Sequence, residues 1–445
     1  MFRFGSALSS LERHVGAFSV EALAGVLRPA WIDEALRETG RASRRIRALP
    51  ADLIVWLLVA MGVWRGSGIR NVLFRLGTGV RRSLRWKGGQ PPPSNAVTKA
   101  RDRLGVEPVQ RLFGRLCDSL RDEFAAVHAW KGMALLAVDG TTLKMPDSPR
   151  NRSHFGAPGA GRGRSAFPQM RVVVMMAAVT HVVLAAAMAP CTVGESTLAR
   201  ALFAQAKPGM LLLLDRGFVN YGVLWDLQRR GAHFVVRAKR TVRLRRRKSL
   251  GAGDALAEVL FGRTFRRLHR DLPAAMPVRV VTYRVPGFRP VRLLTSLLDA
   301  AAFPAHEIVA RYRDRWEIEL GYDEIKAHLS GVDVPLRSAA PERVLQEAYG
   351  LLLAYDVVRA LMARAAGAAG IDPRRLSFTD ALERLRHLVL LMALVPGRVL
   401  PSLYAGFLLD LACCVLPPRR QRRYPRAVKV TMNSKYLLNR RHHAA

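Results

Sequence analysis

The hydrophobic pattern divides the chain into segments of different rhythm. Residues 19–105 read as helical: Ser19 is placed to cap a helix through Leu27, and Ala51 to Trp64 is a long apolar segment followed by Gly66 and Gly68. A basic stretch from Arg70 to Lys87 and the run Pro91-Pro92-Pro93 come next. Ser94 is then placed to cap a helix carrying Arg101 and Arg103, closed by Gly105 before another helix from Pro108. Two short helices around a glycine turn, one of them basic, predict either a helix-turn-helix near 94–115 or a merely structural bundle.

Residues 131–236 run strand, long loop, two strands, helix, strand, helix, strand. Two apolar runs of strand length, Leu135-Leu136-Ala137-Val138 and Leu211-Leu212-Leu213-Leu214, stop at an acid with glycine close behind: Asp139-Gly140 and Asp215-Arg216-Gly217. Arg150 to Arg164 is a Gly- and Arg-rich loop. Arg171–Ala178 and Val182–Ala187 form a hairpin, because Thr180 and His181 split the longest apolar stretch into halves too short to span a bilayer. Thr197–Ala206 and His233–Arg237 read as a helix and the last strand, which makes this segment mixed α/β. Beyond it, Arg237–Lys248 is intensely basic, and Val278–Tyr283 and Arg289–Leu298 read as paired strands around Pro286-Gly287. The chain then turns helical again over Pro341–Ala365 and Ser377–Leu394, where Leu345, Tyr349, Leu352, Leu353 and Tyr355 read as core.

Charge changes the picture. There are 71 Lys and Arg against 34 Asp and Glu, a formal charge of +37. A high-GC coding bias accounts for part of the Arg and Ala richness but not for the scarcity of acids. A field of this sign attracts polyanions, and arginine forks suit phosphate oxygens. Basic clusters with this potential lie at Arg101 and Arg103, at Arg245-Arg246-Arg247-Lys248, and in a tail from Pro417 to His443 with Arg419-Arg420-Gln421-Arg422-Arg423 and Arg440-Arg441. The competing readings are solvated loops and a solvated tail.

The candidate chemistry lies in Tyr312, Arg315, Glu319 and Lys326, spaced Tyr-x2-Arg-x3-Glu-x6-Lys. On an α-helix they share a wedge of about 60°, with Ile318, Ile325 and Leu329 roughly opposite as a docking stripe. A solvated face with an Arg315–Glu319 pair is the bland reading of the same spacing. An aspartate ending a hydrophobic strand likewise either starts a turn or serves chemistry. Together, Asp139, Asp215 and Glu319 could hold two divalent cations that neutralise a scissile phosphate and activate the attacking oxygen. Asp147, between Pro146 and Pro149, reads as a turn residue.

Val138-Asp139-Gly140-Thr141, Leu214-Asp215-Arg216-Gly217-Phe218, and Tyr312, Arg315, Trp316, Glu319 and Lys326 resemble the DDE transposases of the insertion sequence four type, over roughly residues 130 to 355. The resemblance implies a ribonuclease-H-like catalytic core with a β-rich insertion, flanked by helical N- and C-terminal regions. It places a helical DNA-binding region at 1–129, the core at 130–236 and 300–360, the basic insertion at 237–299, and a helical region with a basic tail at 361–445. It implies catalysis and metal binding by Asp139, Asp215 and Glu319, with Mg2+ or Mn2+ as two ions. DNA or phosphate contacts fall to Tyr312, Arg315 and Lys326, and Trp316 packs either on DNA or on its own helix.

The partners it implies are double-stranded DNA, as terminal inverted repeats and target, and a second copy of the chain on paired ends. Many relatives use a hairpin intermediate, which needs a base flipped against an aromatic ring. Val291, Arg292 and Leu293 offer none there, leaving Phe288 or Trp86 as substitutes. A non-catalytic DNA-binding relative and a metal-dependent nuclease without strand transfer remain as alternatives. Cys117, Cys191, Cys413 and Cys414 lack zinc-ligand spacing and read as small buried hydrophobes. With no signal-peptide or lipidation pattern, a cytoplasmic, nucleoid-associated bacterial protein without membrane contact is expected.

Overall fold

The computed structural model describes residues 25–43, 45, 48–77, 86–160, 163–164, 167–239, 241–262, 267, 273–286, 288–329, 334–392 and 395–418. The start of the helix expected after Ser19, residues 78–85 of the first basic stretch, and the basic tail beyond 418 lie outside them.

The N-terminal region contributes α1 (Pro29–Glu38), α2 (Ala51–Val63), α3 (Ile69–Leu76), α4 (Ser94–Leu104) and α5 (Glu107–Glu123). Ser94 is the first helical residue and makes no capping hydrogen bond; Pro93 holds the cap position. Every residue of α2 from Asp52 to Val63 is buried, as its all-round apolar sequence requires.

A large mixed sheet follows. Its strands are β1 (Met133–Lys144), β2 (Gln169–Ala177), β3 (Val183–Pro190), β4 (Met210–Leu214), β5 (His233–Arg237), β6 (Leu244–Gly251), β7 (Asp254–Leu260), β8 (Ala275–Tyr283) and β9 (Val291–Thr295). They lie in the order β3-β2-β1-β4-β5-β9-β8-β7-β6. The first five, with β2 antiparallel to its neighbours and β1, β4 and β5 parallel, form a ribonuclease-H-like core. Helices α6 (Pro149–Phe155), α7 (Glu195–Leu198), α8 (Arg200–Phe203) and α9 (Tyr221–Arg229) occupy the connections.

The unbroken apolar runs of β1 and β4 reflect burial on both faces. Leu136, Leu212 and Leu214 belong to the large core shared with the helices, while Leu135, Leu211 and Leu213 pack on the opposite face with Ile308 and Tyr312. The stretch 172–190 is indeed the hairpin of β2 and β3.

The basic run near 245 is an ordered edge strand rather than a loop. Strand β6 pairs with β7, and the four strands after β5 extend the core sheet instead of forming a separate body. Arg279, fully buried, clamps this extension: Nε donates to Asp254 at 2.8 Å, and Nη1 donates to the Phe303 carbonyl at 2.6 Å.

The signature segment is then α10 (Ala305–Arg313), a 3-10 turn (Asp314–Trp316), α11 (Glu317–Asp323) and a π-helical turn (Glu324–Leu329). Helices α12 (Pro341–Ala369), α13 (Phe378–Met392) and α14 (Leu400–Ala412) complete the described chain. Close crossing of α2 and α12 depends on small residues: a Cβ on Gly350 would stand 2.5 Å from the Leu58 carbonyl oxygen. No helix of the described residues is long and apolar enough to cross a membrane.

Candidate active site

Strand register brings the two aspartates together. Val138 pairs with Leu214 in parallel, so Asp139 and Asp215 are the next residues along two adjacent chain segments. Asp215 leaves the tip of β4, as its apolar run predicts. Asp139 does not end its strand: β1 continues to Lys144, paired with β2 alone. Beyond Leu214, β1 runs on with β2 as its paired neighbour. The Asp139 carboxylate accepts a hydrogen bond from the Gly140 amide at 2.8 Å.

The signature segment crosses these strands and is fixed to both. Tyr322 donates its hydroxyl to the Asp139 carbonyl at 2.6 Å, and the Tyr312 hydroxyl donates to the Leu214 carbonyl at 3.4 Å. Lys326 reaches Thr141 Oγ1 at 3.2 Å. Ile318, Ile325 and Leu329 are buried beneath, as a docking stripe should be. Gly321 permits the close approach, since a Cβ there would meet the Met176 sulfur at 2.5 Å.

The backbone is not one α-helix, however. The 3-10 and π turns change the residue spacing, so the even wedge of about 60° expected from α-helical geometry does not hold through Lys326. A buried ionic cluster underlies the π turn. Glu324 takes Arg359 Nε at 2.9 Å and the Tyr355 hydroxyl at 3.0 Å, while His181, in the β2–β3 turn, faces Glu317 at 3.0 Å. Burial alone would raise the Glu324 carboxyl, yet Arg359 and His181 hold it down to about 2.

Arg315 is buried and Glu319 exposed; they meet at 3.3 Å, and the guanidinium lies 4.9 Å from the Trp316 ring centre. Trp316 is 40% exposed, so it stacks on its own helix and also faces outward. Tyr312 is buried, which pushes its hydroxyl up to about 12. Beside Asp215 opens a cleft of about 490 Å³ walled by Tyr283, Phe288, Tyr312 and Trp316 and rimmed by Arg237 and Arg289. Phe288 is 47% exposed there, whereas Trp86 is buried with Nε1 on the Ala48 carbonyl and cannot serve as a flipping ring.

Burial, and then the neighbouring Glu195 carboxylate, pushes the Asp139 carboxyl up to about 6 against opposing help from the Gly140 amide. Glu195 carried no motif in the sequence; a lone acid after a hairpin gives no signal. Among the described residues, no three acids, histidines or cysteines stand close enough to share an ion. The donor chemistry nevertheless fits a hard divalent cation, because every candidate ligand is a carboxylate oxygen.

Other candidate DNA contacts divide. Arg101 is a correction: it is buried, with Nε on Gln346 at 3.1 Å and Nη2 on the Arg343 carbonyl at 2.7 Å. Burial lowers its guanidinium to about 10, and its work is to tie α4 to α12. Arg103 is exposed. On β6 the strand alternation turns Arg245 and Arg247 toward Glu258, while Arg246 reaches Ser249 and Lys248 is exposed. Asp147 faces Arg152, and Ser148 caps α6.

A 3-2-1-4-5 core with two carboxylates where β1 and β4 part defines a ribonuclease-H-like protein of the class that processes nucleic acid. Residues 130–357 match the family model described as "Transposase DDE domain", and residues 17–114 match "Insertion element 4 transposase N-terminal". The chain is 33% identical over 432 residues to the transposase InsG for insertion sequence element IS4 of Escherichia coli (strain K12), covering 96% of each. It is 30% identical over 216 residues to InsZ of the same organism, covering 48% of this chain and 70% of InsZ. The piggyBac transposase in its synaptic complex with hairpin DNA aligns at 12% identity, 92% of this chain and 87% of that one, with a TM-score of 0.42, too distant to argue from.

The chain belongs to the insertion sequence four family of DDE transposases. It is an insertion-sequence transposase, an enzyme that cleaves and transfers DNA with divalent metal.

Proposed function

We propose that Asp139, Asp215 and Glu319 hold two ions, Mg2+ or Mn2+, and that Tyr312, Arg315, Trp316 and Lys326 grip DNA beside them. The observation that carries this reading is the parallel register of Val138 with Leu214, which aligns the aspartates under the helix bearing Arg315 and Glu319. Bound ions would supply positive charge at the scissile phosphate and acidify the attacking water or 3′ hydroxyl. The remaining work belongs to the chain. Arg315 holds Glu319 until phosphate competes for its guanidinium, and Tyr322 fixes the helix against the strand that carries Asp139.

The substrate in this reading is the element's terminal inverted repeats, cut to free 3′ ends that are joined to target DNA by cut-and-paste. Two copies of the chain act on paired ends. Residues 1–129, the exposed side chains of β6, and the tail after 418 supply sequence-independent grip on the backbone, consistent with the +37 charge. The aromatic cleft beside Asp215 is large enough for an unstacked base, with Phe288 as the exposed ring, which supports a hairpin step.

The test is cleavage of a supercoiled plasmid carrying the element's ends, with Mg2+, Mn2+ or chelator, followed by a joining assay. Metal-dependent release and insertion are expected. Cutting without joining would make it a nuclease, and end binding without cutting a non-catalytic binder.

A further inference from the structure

We propose that His181 is a positioning residue for the catalytic helix: it joins the buried Glu317 to α12 and so sets where Glu319 stands. The inference rests on the assignment of Glu319 to the metal site. His181 lies in the β2–β3 turn, is 1% exposed and has φ 63°, a left-handed backbone uncommon for a residue with a side chain. Both ring nitrogens are engaged. Arg359 Nη2 donates to Nδ1 at 2.5 Å, and because a guanidinium only donates, Nδ1 is the unprotonated nitrogen. The proton is therefore on Nε2, which donates to Glu317 Oε2 at 3.0 Å. One turn earlier on α12, Asp356 Oδ1 takes the Val183 amide at 2.8 Å, so α12 grips the turn on both sides of Val182.

The cluster stands in a regular relation to the functional residues. Glu317 and Glu324 point into it, while Glu319 and Lys326, each two residues further on, are exposed. Two residues are about half a helical turn, so fixing the inward carboxylate fixes the rotation and height of the outward side chain. Glu324 is held directly by Arg359 and Tyr355 of α12, and Glu317 is joined to the same Arg359 through the His181 ring. Stability alone does not explain this construction. Apolar residues of similar volume commonly serve a core as well as a buried ionic cluster does, and the left-handed backbone at His181 adds strain. What the cluster supplies in addition is direction: hydrogen bonds to named atoms hold the signature segment in one place, which apolar packing does less strictly.

The experiment uses the full chain and compares His181→Asn, His181→Gln and Glu319→Gln with wild type. Asparagine tolerates the left-handed backbone and keeps an acceptor for Arg359, but it is too short to reach Glu317; glutamine reaches Glu317 with an N–H. The readouts are thermal unfolding, affinity for duplex DNA carrying the element's end, and the single-turnover rate of metal-dependent plasmid cleavage well below the unfolding temperature. His181→Asn is expected to bind the end as wild type does and to cut about 10- to 100-fold more slowly, the scale for residues that orient a metal site or a reacting group. His181→Gln should recover most of that rate. A merely structural role would lower the unfolding temperature and leave the rate of the folded protein unchanged. Folded His181→Asn cutting at the wild-type rate, or His181→Gln cutting no faster than a slowed His181→Asn, would overturn this inference. Should His181→Asn fail to fold, Arg359→Lys takes its place, since it keeps the charge but not the fork that spans His181 and Glu324. Wild-type cutting by folded Arg359→Lys would overturn the inference equally. Cutting retained by Glu319→Gln would instead remove the site assignment itself.

Discussion

Tyr322→Phe is the most discriminating probe of how the catalytic helix is held. The hydroxyl is buried, and burial keeps it protonated, so it donates to the Asp139 carbonyl at 2.6 Å. Phenylalanine keeps the ring packing and opens no large cavity, so the substitution isolates the hydrogen bond. An acceptor left buried without its donor costs about 1–3 kcal/mol. That loss should lower the unfolding temperature slightly and leave the fold cooperative. The functional effect should be larger than the stability effect. The same contact sets the distance between Asp139 and the segment bearing Arg315 and Glu319, and a displacement of about 1 Å at a reacting centre can cost about 100-fold in rate. Thermal unfolding and metal-dependent plasmid cleavage, run on the same preparation, separate the two. A destabilised variant that still cleaves at the wild-type rate would refute the reasoning, because the tie would then be structural only.

Two further outcomes follow from charge. The Asp139 carboxyl sits near 6 when folded against an ordinary 3.8, so the metal-free native state binds a proton that the unfolded chain releases. Stability therefore falls as pH rises from about 4 to about 6, by up to about 3 kcal/mol. Asp139→Asn should raise the unfolding temperature of metal-free protein at pH 7 and lose that advantage near pH 4; an equal shift at both values would contradict the assigned burial effect. On β6, replacing Arg246 and Lys248 together by Ala should reduce the slope of log affinity against log salt by about two, since each phosphate contact contributes about 0.9. An unchanged slope would mean that this edge faces away from DNA and that its charges guard against strand pairing.

Much of the core was legible because burial on both faces writes itself as unbroken apolar runs. The runs ending at Asp139 and Asp215, the hairpin from 172 to 190, and the strand His233–Arg237 all follow from that rule. Register was not legible. Nothing in either run reveals that Val138 faces Leu214, or that β1 outlasts β4 and leaves Asp139 within a strand. The edge strand β6 was hidden because its side chains are charged on both faces, so no alternation of apolar and polar residues marked it.

Arg101 misled for a related reason. An arginine on a short basic helix looks like a phosphate contact until the partner helix α12 is in place and supplies Gln346. The ionic cluster at the π turn joins Glu324 to His181 in the β2–β3 turn and to Tyr355 and Arg359 on α12, contacts between separate elements that no local pattern marks. Glu195 was missed on the same ground: its partner is a glycine backbone more than a strand hairpin away.

The central claim is that Glu319 completes the metal site with Asp139 and Asp215, and it is tested most directly by Glu319→Gln beside wild type. The measurement is Mg2+- or Mn2+-dependent cleavage of a supercoiled plasmid carrying the element's ends, with end binding measured in parallel. Glu319→Gln should bind the ends as wild type does, because the basic surfaces are intact, and should cut nothing. Metal-dependent cutting retained by Glu319→Gln would contradict the account.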